Sequence, residues 1–135
     1  IGKPPEVNLI NEKNNGEIVL KLINGGYVAS AHDVSDGGLI VALSEMAMGS
    51  QLGIKIEKPK KLSNLIEYYF GEDQGRYVLE ISKQKLPEVE KILKTSGIFY
   101  EKIGVTQPEY FELDGELKIG LNDLFKVNNQ WYKNY

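Results

Sequence analysis

The chain has 135 residues, 41% of them apolar and 26% charged, and a net charge of −3, which is the composition of a soluble globular protein with a real core. The lysines are interleaved with glutamates and form no basic patch of the kind nucleic acid requires, and no apolar run approaches the roughly 18 residues that cross a bilayer. The absence of cysteine removes disulfides, thiolate nucleophiles and cysteine-ligated zinc, and it fits a reducing, cytoplasmic setting.

In chain order, residues 1–12 read as an extended lead-in, because Pro4 and Pro5 disfavour helix. They do not form a signal peptide, since charge and proline interrupt any apolar core. The start without methionine reads as a piece of something longer. From Asn15, "NGEIVLKLINGG" predicts a short helix capped by Asn15, with Ile18, Val19, Leu22 and Ile23 as its apolar stripe and Gly25 and Gly26 as its stop. "YVASAH" (27–32) is strand-like, and "GLIVALSEMAMG" (38–49) predicts a strongly apolar helix. "LGIKIE" (52–57) alternates as a half-buried strand does.

A short helix or turn is expected over 62–71, a strand over 76–82 and an amphipathic helix over 84–97 with Pro87 in its first turn. A strand over 98–107 follows, then a hairpin over 110–121 turning at Asp114-Gly115. A last helix runs from a cap at Asn122 through Trp131, which is expected to anchor it. Tyr68, Tyr69, Tyr77, Tyr100 and Tyr110 lack base-stacking spacing and read as core and interface residues.

From residue 27 the order is strand, helix, strand, strand, helix, strand. That is the βαββαβ core of ferredoxin-like folds with added elements. The expected class is α+β, with helices layered on a mainly antiparallel or mixed sheet, and residues 13–135 forming one domain. The order alone assigns no function.

Two stretches carry chemistry. "AHDVSDGGL" (31–39) holds the chain's only histidine, two aspartates three residues apart and a glycine pair, between a strand and a helix. Read as structure, Asp36 caps the helix that starts near Gly37, Gly38 permits an unusual backbone angle, and His32 is a satisfied histidine at a strand end. Read as a site, the glycine loop presents backbone N–H groups to phosphate, and Asp33 and Asp36 offer the hard oxygens magnesium prefers. "FGEDQGR" (70–76) is either a polar turn or a ligand loop, in which Gln74 donates and accepts and Arg76 grips phosphate or carboxylate.

The two motifs stand in this order, about forty residues apart. "SAHDVSDGGLIVALSEMA" followed by "FGEDQGRYVLEIS" closely resembles the last domain of phosphoribosylformylglycinamidine synthase. The double-proline lead-in, the "NNGEIVLKLINGGYVASAHD" approach and the "IGVT" strand with its hairpin and Trp-containing helix extend the resemblance over nearly the whole chain.

The resemblance implies an ATP- and glutamine-dependent ligase of purine biosynthesis. That enzyme converts formylglycinamide ribonucleotide to formylglycinamidine ribonucleotide through an iminophosphate displaced by ammonia. It pairs an ATP-binding domain with a domain of the present type, twice in one chain. This chain looks like the second copy, and its ending looks like the small bacterial form. The implied partners are the ATP-binding domains of the same polypeptide, a glutaminase subunit and a small auxiliary subunit. The implied cofactors are Mg2+ and ATP or ADP.

In the family's first copy the aspartate matching Asp33 is a magnesium ligand, and a Glu-Ser-Gln segment contacts substrate. Glu72, Asp73 and Gln74 fall on that segment, with Asp73 where serine is usual; a carboxylate there repels phosphate unless a metal intervenes. The second copy forms a degenerate counterpart, which in the large form holds a structural nucleotide. The implied auxiliary set is His32, Ser35, Asp36, Gly37, Gly38, Glu72, Asp73, Gln74 and Arg76, with Asp33 for metal. The family's catalytic histidine belongs to an ATP-binding domain, so His32 does not inherit its role, and no catalytic residue is expected in this chain. The chain alone is expected to be inactive, and its uncovered apolar face to promote self-association. The rivals are a related ATP-using enzyme, such as aminoimidazole ribonucleotide synthetase or selenophosphate synthetase, and a stand-alone binding or scaffold module.

Overall fold

The computed structural model describes residues 6–59 and 64–133, with the side chains of 131 and 132 excepted. The elements are α1 (Leu9–Asn24), β1 (Val28–Asp33), α2 (Gly38–Ser50), β2 (Gly53–Ile56), α3 (Leu65–Phe70), β3 (Tyr77–Ile81), α4 (Leu86–Thr95), β4 (Gly104–Gln107), β5 (Tyr110–Leu113), β6 (Leu117–Gly120) and α5 (Leu121–Lys133). This is the expected mixture of α and β with a mixed sheet. The strands divide between two sheets, however, one of order β1-β3 and one of order β4-β2-β5-β6. The chain clusters correspondingly into two compact units, residues 1–42 with 66–101 and residues 43–65 with 102–135.

The first unit is built on two helices and the antiparallel pair of β1 and β3, strands far apart in sequence. Ile18 and Leu22 of α1 and Val89 and Leu93 of α4 are each four apart, so each pair shares one helix face. They form one buried cluster, against which Val28, Leu79 and Ile81 of the strands pack. Both helices end alike. Gly26 (φ +69) and Gly97 (φ +67) take the left-handed conformation. Tyr27 N–H donates to Leu22 O (3.0 Å) and Ile98 N–H to Leu93 O (3.1 Å). These are Schellman closures, whose following residue folds back onto the apolar face; Tyr27 and Ile98 do pack on the cluster. The glycine stops expected from the sequence are therefore present.

The start of α1 is not where the sequence placed it. Asn8 is the cap, its side chain accepting from Asn11 N–H at 3.0 Å. The lead-in thus ends before Leu9, and Asn15 lies inside the helix. The first turns do not continue the buried stripe of Ile18 and Leu22, since Leu9 and Ile10 are exposed.

In the second unit β2 pairs antiparallel with β4 and parallel with β5, and β5 pairs antiparallel with β6. Ile54, Ile56, Phe111, Leu113 and Leu121 are buried there. The strand expected over 98–107 shortens to Gly104–Gln107, because Ile98 and Tyr100 serve the helical cluster of the first unit instead. The Asp114-Gly115 hairpin forms, but three residues separate the partners Leu113 and Leu117, with positive φ at Gly115. The last helix starts at Leu121, one residue before the expected Asn122 cap; Leu121 is buried and its N–H is held by Glu109 O at 2.8 Å. The Trp131 side chain and residues 62–63 of the expected short helix lie outside the described residues. Among the described residues no helix is long and apolar enough to cross a membrane.

Lys55 and Glu112 face each other across the parallel β2–β5 pair, with Nζ to Oε1 at 3.1 Å. The hydrogen bond and charge of Lys55 hold the Glu112 carboxyl below its ordinary value of 4.5. A carboxyl depressed in the folded state adds stability above its unfolded value and loses it as pH falls through the folded one. Glu112→Gln is therefore expected to lower the urea midpoint near pH 7. The gap between variant and parent should narrow as pH falls below 4.5 and close only once the carboxyl is protonated in the folded state as well. A gap that stayed equal as the pH fell would show that the charge is not responsible.

Candidate functional site

The two motifs meet because β1 and β3 are antiparallel neighbours. Asp33 lies opposite Tyr77 in the register. Beyond it Val34 N–H donates to Arg76 O at 2.9 Å, which carries the ladder one step past the strands. The loop leaving β1 and the loop entering β3 are thereby held side by side.

The 34–38 turn uses its glycines fully. Gly37 (φ +79) and Gly38 (φ +72) are both left-handed. A Cβ at Gly38 would stand 2.7 Å from the Phe70 carbonyl carbon and 2.8 Å from Tyr69 O, so the turn presses on the backbone at the end of α3. The Gly37 amide donates to Glu72 Oε1 at 2.8 Å. The Gly38 amide donates to Ser35 O at 2.9 Å. Asp36 therefore does not take the capping role expected of it. The helix starts at Gly38 and is preceded by Gly37, which has no side chain to offer, while the Gly37 amide itself donates to a carboxylate from the other motif.

In the 70–76 loop, Arg76 Nη1 donates to Gly71 O (3.2 Å) and meets Asp73 Oδ2 (3.4 Å). The Asp73 charge, unusual for the resembled family, is thus offset within its own loop. Gly75 (φ +71) backs onto Glu12 of α1, and Asn15 Nδ2 donates to Gly75 O at 3.0 Å. On α3, burial pushes the Tyr68 hydroxyl up to about 12, with Glu101 adding to the rise; at neutral pH it is a donor and not a base.

These segments enclose a cleft of about 370 Å³ lined by Glu12, Asp33, Ser35, Asp36, Glu72, Gln74 and Arg76, with Val34, Gly75 and Tyr77. The structure thus brings together six of the residues singled out from the sequence: Asp33, Ser35, Asp36, Glu72, Gln74 and Arg76. Gly37 and Gly38 shape the wall behind them. His32 and Asp73 are not among the lining residues. His32 is half-buried on β1, with Nδ1 2.6 Å from Asp33 O and 3.6 Å from Asp33 Oδ1. Sequence reasoning missed Glu12, Asn15 and Tyr77. The only signal was "NNG" at 14–16, three poor helix formers inside what proves to be a helix.

The lining is rich in carboxylates, and its one arginine is already engaged. It favours a cation over a bare anion. No three His, Cys, Asp or Glu side chains among the described residues converge to hold a metal ion. The donor set fits magnesium only in its habitual mode, with one or two carboxylates from protein and the rest of the shell from phosphate and water.

The turn itself is open to test. Gly38→Ala is expected to cost about 2 kcal/mol or more, from the left-handed φ together with the clash on the α3 backbone. Gly97→Ala has the same φ penalty but nothing within 4 Å, and should cost about 1 kcal/mol. Equal urea midpoints for the two variants would show that the Gly38 contact does not hold the turn.

The family model described as "AIR synthase related protein, C-terminal domain" matches residues 2–114. The phosphoribosylformylglycinamidine synthase subunit PurL of Pelagibacter ubique (strain HTCC1062) is 46% identical over 134 residues, which are 99% of this chain and 18% of that protein. The PurL subunit of Rhodopseudomonas palustris (strain TIE-1) is 37% identical over the same share of each. This chain therefore spans about a fifth of the curated relatives it matches. Among solved structures, T. maritima PurL complexed with FGAR superimposes with a TM-score of 0.73 at 23% identity, over 84% of this chain and 20% of that one; this likeness concerns the fold. Motif order, fold and family match agree, and the chain belongs to the family of AIR synthase related proteins, as its C-terminal domain.

Proposed function

We propose that this chain is the C-terminal domain of the synthetase subunit of a phosphoribosylformylglycinamidine synthase, an ATP- and glutamine-dependent ligase of purine biosynthesis. The complete enzyme converts formylglycinamide ribonucleotide to formylglycinamidine ribonucleotide in the cytoplasm. Its partners are the preceding domains of the same polypeptide, a glutaminase subunit and a small auxiliary subunit. The family domain runs through both compact units, which supports reading residues 13–135 as one functional domain.

Within that enzyme the cleft is an auxiliary nucleotide site and not the reacting centre. The observation that carries this reading is the convergence of Asp33 and Asp36 with Glu72, Gln74 and Arg76 on one cleft from motifs far apart in sequence. Asp33 and Asp36 would hold magnesium, which when bound supplies the positive charge that lets a phosphate lie among carboxylates. Ser35 and Gln74 offer neutral hydrogen-bonding groups on the same wall. A second reading, a purely structural turn, is favoured by the Gly37 and Gly38 amides, both of which already have partners within the chain. Exposed Leu9, Ile10 and Phe99 support self-association of the chain when nothing covers them.

Calorimetric titration with magnesium–ADP separates the two readings. An auxiliary site binds, and Asp33→Asn weakens that binding about tenfold or more, equivalent to about 1.4 kcal/mol. No heat with either protein would sink the nucleotide reading and leave the structural turn. The chain alone is expected to show no formylglycinamide ribonucleotide-dependent ATP hydrolysis, and a contaminant-free turnover would overturn its auxiliary role.

A further inference from the structure

We propose that the Asp114–Gly115 step is a site of spontaneous covalent modification, an aspartyl isomerisation that the fold leaves unprotected. In this reaction the Gly115 backbone nitrogen attacks the side-chain carboxyl carbon of Asp114. A C–N bond forms, the nitrogen gives up its proton, a carboxyl C–O bond breaks, and one water leaves. The five-membered cyclic imide so formed is reopened by one water at either of its carbonyls. Opening at the main-chain carbonyl leaves an isoaspartyl linkage, with one extra methylene in the main chain. Water is the only co-reactant, and nothing is oxidised or reduced. This chemistry does not depend on the auxiliary-site reading.

Four steps in the sequence place glycine after asparagine or aspartate: Asn15–Gly16, Asn24–Gly25, Asp36–Gly37 and Asp114–Gly115. Glycine favours the attack at all four, because no Cβ crowds the attacking nitrogen. The fold separates them. That nitrogen has to leave its hydrogen bond and swing toward the preceding side chain, so an amide held by an acceptor is protected. Gly16 lies inside α1, and the Asn15 side chain is itself held by Gly75 O at 3.0 Å. Gly25 N–H donates to Lys21 O at 3.0 Å where α1 ends. Gly37 N–H donates to Glu72 Oε1 at 2.8 Å.

The fourth step has none of these restraints. Asp114 and Gly115 are exposed, at the tip of the β5–β6 hairpin. Among the described residues the Gly115 amide has no acceptor, and the Asp114 carboxylate receives no hydrogen bond. A Cβ placed on Gly115 would meet nothing within 4 Å there, so the turn has room to rotate. Asp114 N–H is held by Ile56 O and Glu116 N–H by Leu113 O, each at 3.0 Å. These bonds fix the peptide groups before and after the Asp114–Gly115 amide but not that amide. The added methylene would lengthen a connection whose ends, Leu113 and Leu117, are paired in register.

Ageing the full chain in heavy-oxygen water, folded and in urea, tests the site, with peptide mass spectrometry to locate the label. Dividing each step's folded rate by its rate in urea cancels the intrinsic difference between asparagine and aspartate. The ratio should be near unity at Asp114 and about fivefold or more lower at the other three steps, each of which must first give up a hydrogen bond. The Asp114 peptide should also split into aspartyl and isoaspartyl forms. Asp114→Glu, which cannot close the five-membered ring, should lose the uptake at that peptide. Asp114→Asn should convert the reaction to deamidation, with ammonia leaving in place of water. A ratio at Asp114 as low as at the other steps would overturn the proposal. So would undiminished uptake in Asp114→Glu.

Discussion

The pairing of β1 with β3 is the constraint on which the rest of the site depends. Because the strands are antiparallel, the C-terminal end of β1 lies beside the N-terminal end of β3. Both motif loops therefore leave the same end of one two-stranded sheet. A bulge between Val28 and Ser30 puts one extra residue into β1, after which pairing is regular to Asp33. The pair would be marginal by itself. It is held by the α1–α4 cluster packed on it, and α1 also reaches the loop end through Asn15 and Gly75 O. One helix thus supports both the core and the cleft.

The charges around the cleft have a consistent logic. Three groups that could receive an anion are engaged internally: Gly37 by Glu72, Gly38 by Ser35 O, and Arg76 by Gly71 O and Asp73. What faces the cleft is mainly carboxylate. A loop whose glycines suggest a phosphate cradle is, in three dimensions, an acidic pocket with both glycine amides in use. The glycines are needed regardless, because the turn is left-handed twice in succession and lies against the α3 backbone.

What was legible in the sequence was local. Glycine stops at 26 and 97, the apolar stripe of Ile18 and Leu22, and the alternation in β2 each report a preference of a few adjacent residues, and each is realised. Six residues of the cleft were named because they sit in two compact motifs. What escaped was set by contacts distant in sequence. The start of α1 carries exposed leucine and isoleucine instead of a buried stripe. The 98–107 run has strand-like composition, but its first residues serve one unit and its last four pair in the other. Glu12 joins the cleft, and Asn15 supports its wall, from a helix about sixty residues away from the loop they touch. Nothing in periodicity distinguishes a helix face that packs from one that lines a site.

The Glu72 contact shows how a local need becomes a tertiary link. A helix start exposes backbone N–H groups that require an acceptor, and the residue before the first turn normally supplies it. Here that residue is glycine, demanded by the left-handed backbone, so it has no side chain to offer, and its own amide is met by a carboxylate from elsewhere in the chain. Asp36 is one position too early; Glu72 is delivered by the strand pairing. The turn and the 71–76 loop are consequently not independent motifs. Glu72 satisfies the amide of Gly37 across the two loops, so a change in either loop alters the electrostatics of the other.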